Sequence, residues 1–141
     1  MKPIRSFFLA GIIQGSNAGK SLHDQDYRDR IKVILRKYFP EARIFDPVEK
    51  HPDSVNYDYR TGESVFLGYI KLATECDCMI AYLPEASMGT SIEMWECYQK
   101  GVPVWTISPL KENWSVKFLS KRIFENIDEF EHYLKTNYSP K

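Results

Sequence analysis

The sequence predicts an α/β fold in which a doubly wound parallel sheet of about five strands carries helices on both faces. Short apolar runs alternate along the chain with segments whose apolar residues recur at helical spacing, a pattern typical of parallel sheets. The apolar runs lack polar alternation, as expected of strands buried on both faces. No repeat, low-complexity segment or Gly/Ser linker divides the 141 residues, so 1–141 is expected to form one domain.

In the first half of the chain, glycine, proline and polar stretches separate the elements. Tyr27, Ile31 and Leu35 recur at helical spacing until Pro40 ends the helix. A polar stretch over 48–62 contains three ring residues, and loops of this length in a compact domain are usually functional. The expected elements are a strand over 6–13, a helix over 24–39, a strand over 43–47 and a helix over 64–75, whose apolar residues are Val65, Leu67, Ile70 and Leu72.

The second half continues the alternation. Gly101 is placed to cap the C-terminus of one helix, Pro109 follows a strand, and Asn126 or Asp128 is placed to cap the last helix. The expected elements are a strand over 78–84, a helix over 89–100, a strand over 102–108, a short helix over 114–119, an edge strand over 122–124 and a helix through 134. This order is typical of a Rossmann-like or flavodoxin-like sheet.

Composition narrows the classes of function. Lys+Arg and Asp+Glu both number 19, so no basic excess favours binding to nucleic acid. The apolar runs are too short to span a membrane, and the N-terminus resembles a signal peptide only superficially. The three cysteines are expected to be reduced, buried thiols of a cytoplasmic protein. The high aromatic content, 14%, indicates a pocket or a subunit interface.

Two other motifs could indicate nucleoside-triphosphate binding or metal binding, but their spacing fits neither function. The segment over 14–21 resembles a nucleotide-binding phosphate loop, but Gln14 stands where the first glycine belongs and Gly15 leaves the loop one residue short. We therefore expect a loop over the sheet, which could still offer N–H groups and Lys20 to a monophosphate. The histidines and the Cys76-x-Cys78 pair match no zinc spacing, so neither a metal nor another cofactor is expected.

Ligands of such sheets bind at the carboxyl ends of the strands, here after Leu9, Asp46, Leu83 and Ser108. The segment over 84–93 follows one of these ends. Thr90 and Glu93 have the spacing of a capping box, which would make both residues structural. In the alternative, a helix N-terminus with Ser87 and Gly89 forms an anion site, and Glu93 directs a carboxylate into it. A carboxylate beside a sugar or phosphate site indicates chemistry at a glycosidic carbon.

The residues over 7–11, 76–81, 87–93 and 101–103 resemble the nucleoside 2-deoxyribosyltransferase superfamily. This family includes transferases that exchange bases between deoxynucleosides and relatives that hydrolyse the N-glycosidic bond of nucleoside 5′-monophosphates. The resemblance covers nearly the whole chain in element order, and its specific part is the strand, turn and helix around Glu93. It implies that Glu93 is the nucleophile that attacks C1′ of the sugar, with no cofactor.

The resemblance also implies a substrate and a binding site. Monophosphate hydrolases of the family carry serine six residues before the nucleophile, where the transferases carry an acidic residue, so Ser87 favours a nucleoside 5′-monophosphate. Polar residues of a partner subunit complete this end of the family's site, so a homodimer or higher homo-oligomer is expected. The expected substrate-binding residues are Phe8, Gly11, Asp46, Ser87, Gly89 and Thr90, with Asn113 or Ser120 contributed by the partner.

Two departures from the family pattern leave alternatives open. Phe8 stands where the family commonly has tyrosine, and Gly68 and Tyr69 occupy the window of an aspartate that manages the leaving base. Asp58 or Glu63 is a possible substitute acid. The missing aspartate favours a second class of function, a nucleotide-binding sensor without catalysis. A cytokinin-type phosphoribohydrolase also has a Gly-Thr turn, but Glu85, Ala86 and Ser87 replace the paired glycines that precede it there.

Overall fold

A computed structural model describes residues 3–14, 20 and 22–138 of the chain. Its strands are β1 (Ser6–Gly11), β2 (Arg43–Phe45), β3 (Cys78–Tyr82), β4 (Val104–Ile107) and β5 (Arg122–Phe124). Its helices are α1 (Asp26–Tyr38), α2 (Pro47–Lys50), α3 (Tyr59–Glu75), α4 (Met88–Gln99), α5 (Trp114–Leu119) and α6 (Ile127–Asn137), with a 3-10 turn at Ser54–Asn56.

The five strands form one sheet in the order β2-β1-β3-β4-β5, and every pairing is parallel. This confirms the predicted fold class. The chain leaves β1 toward one edge of the sheet and later leaves β3 toward the other. The strand order therefore reverses between β1 and β3, and a crevice opens beyond their carboxyl ends.

Alternate residues of the buried strands face two separate cores. Phe7 and Leu9 of β1 pack in one core with α1 and α6, whereas Phe8 and Ala10 pack in the other with α3, α4 and α5. The sheet is thus covered on both faces, which explains why the strands read as continuous apolar runs. No described helix is both long and apolar enough to cross a membrane.

The stretch over 48–62 is more ordered than the sequence predicted. Asp46 caps α2 by accepting a hydrogen bond from the Val48 N–H, with Pro47 in the first helical position. The expectation that α3 starts at 64 was wrong: it begins at Tyr59, because the Asp58 carboxylate accepts from the Thr61 N–H at 2.8 Å. Leu67, which was expected on the apolar face of this helix, is exposed.

The helix α4 also starts earlier than expected. Ser87 is its N-cap, whereas Thr90 was the expected cap. Gly101 has a φ of +74° directly after the helix, as its predicted role requires. The buried stripe of α4 contains Thr90, Met94 and Cys97, while Ile92 is exposed.

All three cysteines are free thiols and buried, as predicted. Burial raises the pKa of Cys76 to about 11 and that of Cys97 to about 12. At neutral pH these two thiols therefore stay protonated and act as small apolar side chains.

Candidate active site

A cavity of about 320 Å³ opens beyond the carboxyl end of β1. It lies between the N-terminus of α4 and a wall formed by α2, the 3-10 turn and the first turns of α3. Its volume falls at the lower end of the range of about 300–1,000 Å³ for small-molecule sites. Five of the residues that the sequence singled out line it, namely Gly11, Ser87, Gly89, Thr90 and Glu93.

Glu93 lies in the second turn of α4, and its carboxylate lines the cavity. Burial raises the pKa of Glu93 to about 8, and the positive charge of Arg28 offsets only part of this effect. Within the described part of the chain, no donor is hydrogen-bonded to the carboxylate. A partly buried carboxyl group with a raised pKa and no hydrogen-bond donor is a typical feature of a functional site.

The capping box that would have made Glu93 structural does not form. The Ser87 hydroxyl accepts from the Thr90 N–H at 3.4 Å and donates to Thr90 Oγ1 at 3.0 Å. Ser87 therefore begins the helix, which places Glu93 beyond the first turn, where it cannot reach the N-cap N–H. Thr90 turns inward and is buried.

Arg28 of α1 is a lining residue that sequence reasoning missed. Its guanidinium group lies 2.9 Å from Asp46 Oδ1 and donates to the Leu9 and Gly11 carbonyl oxygens at 3.3 Å each. Lys32 Nζ contacts the other carboxylate oxygen of Asp46 at 3.0 Å. A signal was present in the sequence, since Arg28 and Lys32 lie beside the apolar stripe of α1, but periodicity alone could not predict that they are buried.

Asp46 itself does not line the cavity, although the sequence analysis expected it to contact substrate. Its carboxylate is buried between Arg28, Lys32 and the N-terminus of α2. The residue holds Arg28 in place beneath the site.

Three rings pack together on the wall formed by α2, the 3-10 turn and α3, namely those of His51, Tyr57 and Tyr69, and the sequence assigned no chemistry to them. His51 Nδ1 lies 2.6 Å from the Tyr57 hydroxyl, and the His51 ring packs edge-on against both Tyr57 and Tyr69. Tyr69 donates a long hydrogen bond to the Pro47 carbonyl oxygen, at 3.4 Å. His51 and Tyr69 line the cavity, and Tyr69 occupies the window of the family's aspartate.

The remaining predicted residues lie elsewhere. Phe8 is fully buried in the core beneath the site. Asp58 caps α3 and Glu63 is exposed, and neither lines the cavity. Asn113 caps α5, and the Ser120 hydroxyl is hydrogen-bonded to that of Thr106 at 2.6 Å, so within one chain both lie outside the cavity.

Gly11 has a packing role besides lining the cavity. A Cβ atom at this position would overlap the Tyr27 hydroxyl, which donates to the Ile12 carbonyl oxygen at 3.0 Å. Most of the phosphate-loop-like segment, residues 15–19 and 21, lies outside the described residues. Among those described, no cluster of three or more His, Cys, Asp or Glu side chains could hold a metal ion.

Comparisons with known proteins point to one fold. No family model matches the chain. No curated protein matches it. A 2-deoxyribosyltransferase structure from Bacillus psychrosaccharolyticus is similar, with a TM-score of 0.70, 19% identity and coverage of 96% of this chain and 97% of that one.

Two further structures are similar over nearly their whole length. A conserved protein from Enterococcus faecalis V583 has a TM-score of 0.66 at 16% identity, covering 95% of this chain and 99% of that one. A CMP N-glycosidase from Clostridium botulinum has a TM-score of 0.53 at 18% identity, covering 94% and 99%. These likenesses support the resemblance found in the sequence, and the chain has the fold of a 2-deoxyribosyltransferase and of a CMP N-glycosidase.

Proposed function

We propose that this protein is an enzyme that cleaves or transfers the N-glycosidic bond of a nucleoside or nucleoside 5′-monophosphate, with Glu93 as the nucleophile. The observation that carries the proposal is the Glu93 carboxylate, which is partly buried, has no hydrogen-bond donor in the described part of the chain and faces a cavity of small-molecule size. The shared fold supports the class of reaction.

The chemistry proceeds in two steps. A carboxylate oxygen of Glu93 bonds to C1′ as the C1′–N bond breaks, and the electron pair of that bond leaves with the base, which takes up a proton. Water or a second base then attacks C1′ and releases Glu93. Charge builds on the sugar as the base departs, so an anionic carboxylate stabilises the transition state as well as forming the bond.

Arg28 supports this role electrostatically. The nucleophile must be ionised, and burial opposes ionisation. The Arg28 guanidinium lowers the pKa of Glu93 relative to what burial alone would give. Asp46 and two backbone carbonyl oxygens bind the guanidinium, so its positive charge is fixed near Glu93 before substrate binds.

The N-terminus of α4 is the proposed site of the 5′-phosphate. The first N–H groups of a helix have no intrahelical acceptor, and the helix dipole favours an anion there. Ser87, Met88 and Gly89 line the cavity at this point. A phosphate bound there would place its sugar toward Glu93, one turn further along the helix.

We also propose that two copies of the chain assemble through the surface of α4 and α5. Trp95 and Tyr98 are about half exposed, and their rings stack 5.9 Å apart. Trp114 and Phe118 of α5 are exposed as well, on the same side of the sheet. Pairing would cover these rings, and it would bring Asn113 or Ser120 of one copy toward the site of the other.

The proposal is tested by measuring free base released from a panel of nucleosides and monophosphates. Glu93→Gln keeps the shape of the side chain but cannot attack C1′, so turnover should fall by about 10²-fold or more while nucleotide binding persists. Glu96→Gln, a matched control in the same helix outside the cavity, should retain activity. Full activity in Glu93→Gln would refute the nucleophile.

A second candidate function is a nucleotide sensor without catalysis. It is favoured by Tyr69, which stands in the window of the family's aspartate. The same panel separates the two, since a sensor would bind monophosphates without releasing base at any pH.

A further inference from the structure

The cavity lacks an obvious acid for the departing base. Among the described residues that line it, only Arg28, His51, Tyr69 and Glu93 have ionisable side chains. Glu93 is committed to C1′ at the moment when the base needs a proton. Arginine does not give up its proton in proteins. Burial raises the pKa of Tyr69 above its ordinary value, which makes that phenol a weaker acid.

His51 is the remaining group, and histidine is the side chain that exchanges protons most readily near neutral pH. Its ring is held on both sides, because it packs edge-on against Tyr57 at 5.6 Å and against Tyr69 at 5.7 Å between ring centroids. Tyr57 engages one nitrogen, Nδ1, at 2.6 Å. The other nitrogen, Nε2, has no hydrogen-bond partner in the described part of the chain.

We propose that His51, oriented by Tyr57, is the general acid that protonates the leaving base, in place of a carboxylate. This inference rests on the proposed function. In the imidazolium form both ring nitrogens carry protons, so Nδ1–H donates to the Tyr57 hydroxyl oxygen and keeps this bond after the Nε2 proton has left. The protonated ring transfers its Nε2 proton to a ring nitrogen or oxygen of the base as the C1′–N bond breaks. It regains a proton from the water or base that then attacks C1′.

With His51 as the acid, the proposal needs neither Asp58 nor Glu63 in that role. Both carboxylates lie outside the cavity, whereas His51 lines it together with Pro47 and Val48 of α2. Tyr69, in the aspartate window, contributes a ring face that packs on His51 instead of a proton. The acid has therefore moved from α3 to the segment between α2 and the 3-10 turn.

The test compares two leaving groups attached to the same sugar phosphate. One substrate is a nucleoside 5′-monophosphate that the wild type cleaves. The other carries 4-nitrophenolate, which leaves without taking up a proton. We expect His51→Gln to lower kcat/KM for the nucleotide by about 10²-fold or more and to leave the nitrophenyl substrate within a few-fold of wild type. Equal effects on both substrates would overturn the proposal.

Two further variants keep the result interpretable. Tyr57→Phe removes the hydroxyl that orients His51 and keeps the ring, so it should lower the nucleotide rate selectively, though by less than His51→Gln. If His51→Gln fails to fold, the ratio of the two rates in Tyr57→Phe decides, and an unchanged ratio refutes the acid. His132→Gln is the matched control, because His132 is exposed on the outer side of α6 and lies outside the cavity. Failure of the proposed function would look different: the wild type would cleave neither substrate, or Glu93→Gln would cleave both at the wild-type rate.

Discussion

At the scale of single residues, the ionised form of Glu93 that the proposed reaction needs is the form that destabilises the fold. Burial raises its pKa from 4.5 to about 8, so the folded protein holds a proton on Glu93 that the unfolded chain has already lost at neutral pH. The stability of the fold therefore decreases as the pH rises from about 4.5 to about 8, and it is constant with respect to this group outside that window.

This sign gives a prediction for Glu93→Gln. The amide carries no charge, so the variant should unfold at a higher temperature than the wild type, with a difference that is absent near pH 4, grows up to about pH 8 and then levels off. Thermal unfolding at pH 4, 6 and 8 measures this. A melting temperature that is lower than that of the wild type at every pH would show that the carboxylate stabilises the helix after all.

The same pKa predicts the pH dependence of catalysis. In the free enzyme Glu93 must lose its proton to act, so kcat/KM for the nitrophenyl substrate, whose leaving group needs no proton from His51, should rise with pH up to about 8. Of the charged and ionisable groups near it, Arg28 favours ionisation, whereas Cys97 stays protonated and has no charge. Initial rates at subsaturating substrate between pH 5 and 9 check this expectation. A flat profile over that range would contradict it.

Arg28 and Arg30 provide a matched pair of arginines on α1. Arg28 pairs with Asp46 in the interior, and Arg30 pairs with Asp128 on the surface. Arg28→Met leaves the buried Asp46 carboxylate with Lys32 as its remaining cationic partner and should cost about 3–5 kcal/mol in the free energy of unfolding. Arg30→Met should cost at most about 1 kcal/mol. Urea unfolding measures the stability of both variants. Equal losses of stability would show that the interior ion pair contributes no more than the surface pair.

At the scale of elements, the start of α4 combines a structural and a binding role in Ser87. Aspartate is as good an N-cap as serine, so Ser87→Asp should preserve the helix. Its carboxylate would repel a 5′-phosphate, so the KM for monophosphates should rise at least about tenfold while nucleosides change little. Steady-state kinetics with matched nucleoside and monophosphate pairs measure the selectivity.

Ser87→Ala is the control for the cap. It introduces no charge but removes the hydroxyl that accepts from Thr90, so it should cost about 1 kcal/mol of stability. If Ser87→Asp weakens nucleosides and monophosphates equally, Ser87 shapes the turn and does not face the phosphate.

At the scale of the whole molecule, the exposed rings of α4 and α5 predict self-association. Trp95→Lys places a charge in the middle of the proposed interface and should convert a dimer to a monomer with reduced activity. Val33→Lys is the control, because Val33 is an exposed apolar residue of α1 on the other face of the sheet. Sedimentation at micromolar concentration measures both variants. A fully active wild-type monomer would eliminate the dimer and the shared site together.

Much of this architecture could be predicted from the sequence, because each element carries its own local pattern. Buried strands read as apolar runs, Gly101 marks a helix end because glycine accommodates the positive φ found there, and the small-residue turn before Glu93 marks a helix start at a strand end. Each of these signals involves residues that are close together in the chain. The local geometry of strands and helices is therefore enough to interpret them without knowledge of the fold.

The site required the tertiary structure, because its chemistry depends on residues far apart in the chain. Arg28 meets Asp46 and influences Glu93 only because α1 folds against the crevice beside β1. His51 acquires a fixed orientation only where the turn after α2 meets α3. The exposure of Leu67 and Ile92 was likewise decided by packing. Periodicity states that a helix has an apolar face, whereas the neighbours that bury a charge or raise a pKa are set by the order of the parallel strands.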